Sequence, residues 1–232
     1  AAQYKGNFIS DSFEYQFTSA RLSIRNINTR DFIENYAYDP KAFLDFPSRI
    51  IDDYAYGLAL TKEKKYDESA SVLLTLLKFL ETQDRLYIIK NYISVALSDS
   101  YIKNGDHDKA ISILKSLNNI YPNDNAILYY LSDALIKNKE YREVINKLIP
   151  YVIEHKDHML VIKISEAAYK LKEKSLGHEY RGDYLKMLGS LNSAIKYYKL
   201  ALKYNMKGET IDKRIMSKIK EIEKLKENKE IL

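Results

Sequence analysis

The residues best equipped for chemistry in this sequence lie in one run, Glu154-His155-Lys156-Asp157-His158. Zinc hydrolysis on a helix needs His ligands at i and i+4 with a Glu general base after the first, as in H-E-x-x-H. Here the glutamate precedes the first histidine and the histidines are i, i+3, so a solvated turn is expected and no metal site. His107 stands where a repeat would carry an aromatic, and His178 falls within a helix; neither has a sequence neighbour that suggests catalysis. No Gly-rich phosphate loop, G-x-x-x-x-G-K-[ST] or G-x-S-x-G elbow occurs, and Glu221 and Glu223 belong to a charged helix facing solvent. The absence of cysteine excludes thiol catalysis, zinc fingers and disulfides. No active site is legible, and no cofactor is expected in this chain.

The other residues read as scaffold. Asn91 to Asp124 carries Leu97, Ser98, Tyr101, Gly105, Ala110, Leu114, Leu117 and Pro122. Their spacing is that of a 34-residue tetratricopeptide repeat, two antiparallel helices with small residues where they cross. Residues 125–158 repeat the pattern with Leu131, Ser132, Leu135, Tyr141, Val144 and Leu148. An earlier unit over 50–90 has Gly57, Leu60, Tyr66, Ser69, Leu73 and Leu76, with seven surplus residues around Glu81 to Leu86. After Met159 the phase is expected to break. A new unit near Ser175 then brings Gly182, Leu185, Gly189, Leu191, Ala194, Tyr198 and Ala201, half a repeat on, with one helix shared between neighbours.

The expected class is all-α, an α-α superhelix of antiparallel helix hairpins. Residues 1–49 form a helical lead-in, with little order over 1–10. Phe13, Phe17, Ala20 and Ile24 predict a helix over 11–25, and Thr29 can cap a shorter one over 30–38. Phe43, Leu44 and Phe46 are expected to pin the following connection to the first repeat. Residues 50–206 hold the repeats, about 50–90, 91–124, 125–158 and 159–206. Residues 207–232 form a capping helix with Ile211, Ile215, Ile219, Ile222 and Leu225 on one face. Helices approach to roughly 8 Å only over small side chains. The crossing pairs are therefore Gly57 with Ser69, Ser98 with Ala110, Ser132 with Val144, and Gly182 with Ala194.

Composition narrows the partners. The net charge of +5 comes from 37 basic and 32 acidic residues that are interspersed, whereas nucleic-acid binders concentrate charge on one face, so no such partner is expected. No apolar run approaches the roughly 18 residues that span a bilayer, so no transmembrane segment is expected. The first residues lack the apolar stretch of a signal peptide, which suits a cytosolic chain or a piece of a mature exported one. Of the 21 tyrosines, Tyr66, Tyr101, Tyr141, Tyr169 and Tyr198 are expected in the core rather than on a stacking surface.

In such repeats the first helix of each pair lines the concave face. Expected there are Ile51, Tyr54, Leu58 and Lys62, then Tyr92, Val95, Asp99 and Lys103, then Ala126, Tyr129, Asp133 and Lys137. The Lys, Arg and Asn with which one class of these domains clamps a C-terminal carboxylate are missing. An aromatic groove with a line of Lys and a line of Asp suits an amphipathic helix or loop of a protein partner, or a neighbouring domain of the chain itself.

Residues 178–227 resemble the C-terminal end of BepA-like (YfgC-like) bacterial zinc metallopeptidases. The matching features are His178-Glu179, Tyr184, Leu188-Gly189, Ala194-Ile195, Leu200-Ala201-Leu202 and the terminal helix containing Arg214. Upstream, Phe13-Glu14 and Ala20-Arg21-Leu22 are similar to the family's helix after its protease domain, and Tyr56-Gly57-Leu58-Ala59-Leu60 to its first repeat. The family's H-E-x-x-H helix and downstream Glu ligand have no counterpart here, so no catalytic or zinc residue carries over. The resemblance implies a partner-binding C-terminal domain of a periplasmic peptidase engaged in outer-membrane protein quality control, with zinc held outside this chain. Its partners would be the parent's protease domain and outer-membrane assembly components. The alternatives are a stand-alone adaptor or chaperone, cytoplasmic or associated with secretion, and a purely structural brace for the protease domain.

Overall fold

A computed structural model of the protein describes residues 2–40, 49–81, 87–206 and 208–230. Among them are twelve helices and no strand, grouped into two compact units, Ala1–Ala134 and Leu135–Leu232. Unit 1 contains α1 (Ala2–Asn26), α2 (Thr29–Asn35), α3 (Arg49–Lys62), α4 (Tyr66–Glu81), α5 (Tyr87–Asn104) and α6 (His107–Ile120). The boundary falls within α7 (Asn125–Lys137); unit 2 continues with α8 (Tyr141–Glu154), α9 (His158–Lys170), α10 (Lys174–Met187), α11 (Leu191–Lys203) and α12 (Glu209–Glu230). Within each unit the helices pack in chain order as antiparallel hairpins, which is the all-α repeat arrangement the spacing predicts.

One kind of turn closes five of the hairpins. Lys64, Gly105, Lys139, Lys172 and Gly189 all have φ between +61° and +91°. The next residue in each case donates its N–H to the carbonyl five residues back: Lys65 to Leu60, Asp106 to Tyr101, Glu140 to Leu135, Glu173 to Ala168 and Ser190 to Leu185, at 2.8–2.9 Å. These are Schellman turns, which satisfy the orphan carbonyls at the end of the first helix. Gly105 and Gly189 are therefore turn formers rather than the packing residues expected from the repeat pattern; both are exposed, and a Cβ on either would meet nothing within 4 Å.

The turn positions also correct the phase. Gly105 to Lys139 is 34 residues and Lys139 to Lys172 is 33, so the repeat runs on through Met159 without a break. The half-repeat lies later, where Gly189 follows Lys172 after 17 residues because α10 serves two hairpins. Ser165 of α9 donates to the Gly177 carbonyl at 2.8 Å, and the Tyr169 ring lies where a Gly177 Cβ would go. Around the same helix, Gly182 faces the ring of Tyr198 on α11, beside fully buried Ala194. Five residues turn a helix by about 140°, so the two glycines open different faces of α10.

In unit 1 the expected crossing is made by Ser69, which donates to the Gly57 carbonyl at 2.8 Å and bonds the Thr61 hydroxyl. Ala110, Leu97 and Ser98 are fully buried, and Ser98 turns its hydroxyl onto its own helix at Ser94. Ser132 is likewise buried and bonds the Leu128 carbonyl. Helix α1 starts at Ala2 rather than 11, since once the apolar face of 14–26 is seated each added residue extends the ladder at little cost. Asn28, not Thr29, caps α2, because Asn28 accepts from the Arg30 N–H while Thr29 bonds Glu63 just past the end of α3. Phe43, Leu44, Phe46, the surplus over 82–86 and the side chain of Phe13 lie outside the described residues. On α12, Ile215, Ile219 and Ile222 are buried against α11, whereas Leu225 is exposed, beyond the reach of that neighbour.

Candidate functional site

Three phenols define a face on the first helices of unit 1: Tyr54 on α3, Tyr92 on α5 and Tyr130 on α7. Helix α1 lies across them. Phe17, fully buried, puts its ring centroid 4.7 Å from Tyr54 and 5.5 Å from Tyr92. One helical turn on, the Arg21 guanidinium stands 6.0 Å from the Tyr130 ring centroid. A further turn on, Ile24 is buried. At the end of α1, Lys62 Nζ donates to the carbonyls of Ile24, Arg25 and Ile27 at 2.9–3.4 Å, a cation where the helix dipole is negative. Arg30 and Thr29 then bind Glu63, fixing the exit of α1 to the end of α3.

Several residues predicted to line an open groove therefore hold the chain's own helix. Tyr54 is buried outright, Leu58 and Tyr92 are half-buried in the same core, and Lys62 caps α1; Val95 is also buried. Asp99 and Lys103 pair with each other at 2.7 Å. In repeat three, Tyr130 rather than Tyr129 faces α1; Tyr129 lies edge-on against it at 5.6 Å. Tyr92 to Tyr130 is one repeat plus one helical turn, as a helix crossing the face obliquely requires; counting by repeat alone leads from Tyr92 to Ala126 and from Val95 to Tyr129. Asp133 is half-buried and Lys137 exposed on α7. Sequence reading missed Phe17 and Arg21 because they lie outside the repeats, although their i, i+4 spacing with Ile24 at i+7 was visible.

Burial lowers the pKa of the Arg21 guanidinium, but the phenols of Tyr54 and Tyr130 and the Asp99 carboxylate outweigh it and leave it raised. Burial pushes the Tyr54 phenol up to about 12, and its hydroxyl is enclosed without a hydrogen-bond partner.

In unit 2 the polar residues converge between α10 and α12. Glu179, only 2% exposed, receives two bonds from Arg214 at 2.9 and 2.6 Å and one from Lys218 at 2.8 Å. Lys218 also holds Asp183, which accepts from the Tyr198 hydroxyl at 2.7 Å, and Lys186 pairs with Glu221. Each of Glu179–Arg214, Asp183–Lys218 and Lys186–Glu221 spans 35 residues, so α12 runs parallel to α10 in the place of a further repeat's first helix. A cavity of about 520 Å³ beside this network is walled by Ile149, Ile153 and Met187.

The histidines act as packing groups. His155 stacks on Tyr151 at 4.4 Å, and His158 opens α9. His178 accepts from or donates to the Tyr169 hydroxyl at 2.8 Å and stacks on Tyr204; burial, with Lys174 nearby, holds its pKa below the ordinary value. Tyr169 is correspondingly half-exposed rather than core, while Tyr198 is fully buried and Tyr66, Tyr101 and Tyr141 lie between. Among the described residues no three potential metal ligands cluster, and no helix is long and apolar enough to cross a membrane. No family model matches the chain, and no curated protein matches it either.

Proposed function

We propose that this chain is a protein-binding repeat module of tetratricopeptide type and catalyses no reaction itself. The observation that carries this is α1, an amphipathic helix seated across the first helices of unit 1 by Phe17, Arg21 and Ile24. A face that accepts one helix by aromatic and aliphatic knobs has the chemistry of helix-in-groove recognition.

The parent protein on this reading is a periplasmic zinc endopeptidase of the BepA type, with this chain as its C-terminal partner-binding and regulatory domain. Support comes from the double use of α10 and from the bond between Glu179 and Arg214, two of the residues on which the resemblance rests. Zinc then belongs to the parent's catalytic domain. An H-E-x-x-H motif encoded upstream is the expected finding, and its absence favours a stand-alone adaptor or chaperone. Zinc analysis and peptidase assay of the chain are expected to give neither metal nor turnover. Photo-crosslinkers at exposed Lys103 and Lys137 are expected to capture outer-membrane assembly proteins. Adducts with the protease domain alone would point to a structural brace.

A further inference from the structure

Charge is divided unevenly between the two units. Residues 135–232 hold 22 Lys and Arg against 14 Asp and Glu, whereas residues 1–134 hold 15 against 18. Part of the excess lies along α11. That helix has no Asp or Glu, and Lys196, Lys199 and Lys203 stand at i, i+3 and i+7 on one exposed face of it. None of the three has an ion pair among the described residues, whereas Lys186, Arg214 and Lys218 are all taken by carboxylates. At the end of α11 the lysines meet apolar side chains: Tyr204 and Met206 follow Lys203, and Met206 is 97% exposed. Both line a cavity of about 320 Å³ with Leu176 and Ile211, and Lys172 and Lys174 share its wall. Lys174 Nζ lies 5.1 Å from the centre of the Tyr204 ring. The carboxylates nearby are already engaged, Glu179 by Arg214 and Lys218, Glu173 by Arg142 and Glu209 by Lys213, while Asp212 accepts from Asn205.

We propose that this edge of unit 2 docks on an anionic lipid bilayer, with the lysines at the headgroups and Tyr204 and Met206 entering the interface. Each lysine near a negatively charged leaflet adds its own attraction, so the three along α11 act together with Lys172 and Lys174. Apolar side chains at the end of a lysine face supply the burial that holds a peripheral protein at the headgroup boundary. A nucleic acid or an acidic peptide would answer the lysines and leave Met206 in water; a bilayer answers both. The inference concerns unit 2 alone and stands apart from the protein-binding reading, which rests on unit 1.

The test is co-sedimentation of the whole chain with vesicles of phosphatidylcholine alone or mixed with phosphatidylglycerol. Binding is expected only to the mixed vesicles, and it should weaken as salt is raised. Reversing the exposed lysines together (Lys196→Glu, Lys199→Glu and Lys203→Glu) is expected to cut that binding about a hundredfold or more. The chain has no tryptophan, so Met206→Trp supplies a single emission, expected to shift to the blue on the mixed vesicles. Equal binding to both vesicles, binding that survives the reversal, or no binding by the folded chain overturns the docking surface. An unshifted Met206→Trp emission on bound chain overturns the seating of the apolar end. A polyglutamate peptide that binds while the vesicles do not makes an acidic protein the occupant and overturns the bilayer.

Discussion

The two units share one hairpin and one turn but cover their repeat helices by different means. In unit 1 the covering helix is held by burial of Phe17 and Ile24, with its charged residue left to face aromatic rings. In unit 2 the covering helix α12 is held by isoleucines and by three ion pairs at a constant 35-residue offset. Apolar contact is non-directional and scales with area, so it fixes that a helix is covered more firmly than by what. Paired charges with the Glu179 carboxylate out of water tolerate one register only, because a slip leaves that charge alone.

The largest break in this contrast is expected from Phe17→Ala. Loss of a fully buried ring costs about 3–5 kcal/mol, here directed at the docking of α1, so amide exchange should rise across α1 and α3 and stay unchanged in unit 2. Glu179→Ala should do the reverse, costing about 3 kcal/mol in unit 2 by removing both bonds of Arg214 and leaving Lys218 with Asp183 alone. If the thermal transition of unit 2 does not move, the ion pairs do not hold α12.

Glycine substitutions sharpen the contrast at smaller scale. Gly182→Ala sets a Cβ 2.5 Å from the Tyr198 ring, whose hydroxyl is tied to Asp183, and is expected to cost about 1–3 kcal/mol. Gly57→Ala meets a flexible Leu73 methyl at 2.9 Å and should cost less in the same melt. Lys139→Gly relieves a left-handed backbone at a non-glycine residue and is expected to stabilise by about 1 kcal/mol.

The smallest effect is a pH response confined to unit 2. His178 has a folded pKa below its unfolded value near 6.5, so the unfolded state takes up the proton first. Its contribution is present above pH 6.5 and lost as pH falls through that value toward the folded pKa. Exchange protection around α9 to α11 should decline over that window in the native chain and not in His178→Phe.

Much of the scaffold was legible because short-range chemistry sets it. Apolar spacing gives helices, and Gly57 and Ser69, twelve residues apart, give a crossing that the structure makes with a hydrogen bond. Gly105 and Gly189 were legible as positions but not as roles, since a repeat glycine can serve a close approach or a positive φ. The site was read less well. Tyr54, Tyr92 and Lys62 were placed on the face that holds a helix, yet the helix they hold is α1, which nothing in the repeat pattern connects to them.

By itself, the sequence determined the features that neighbours along the chain set between them: helices, hairpins, their 34-residue period and the lack of a recognisable catalytic motif. Only tertiary structure decided which helix covers which face, and that Tyr130 rather than Tyr129 meets Arg21. Those choices depend on how surfaces meet across distant segments, where burial rewards any complementary partner and periodicity along the chain carries no record of which one arrives.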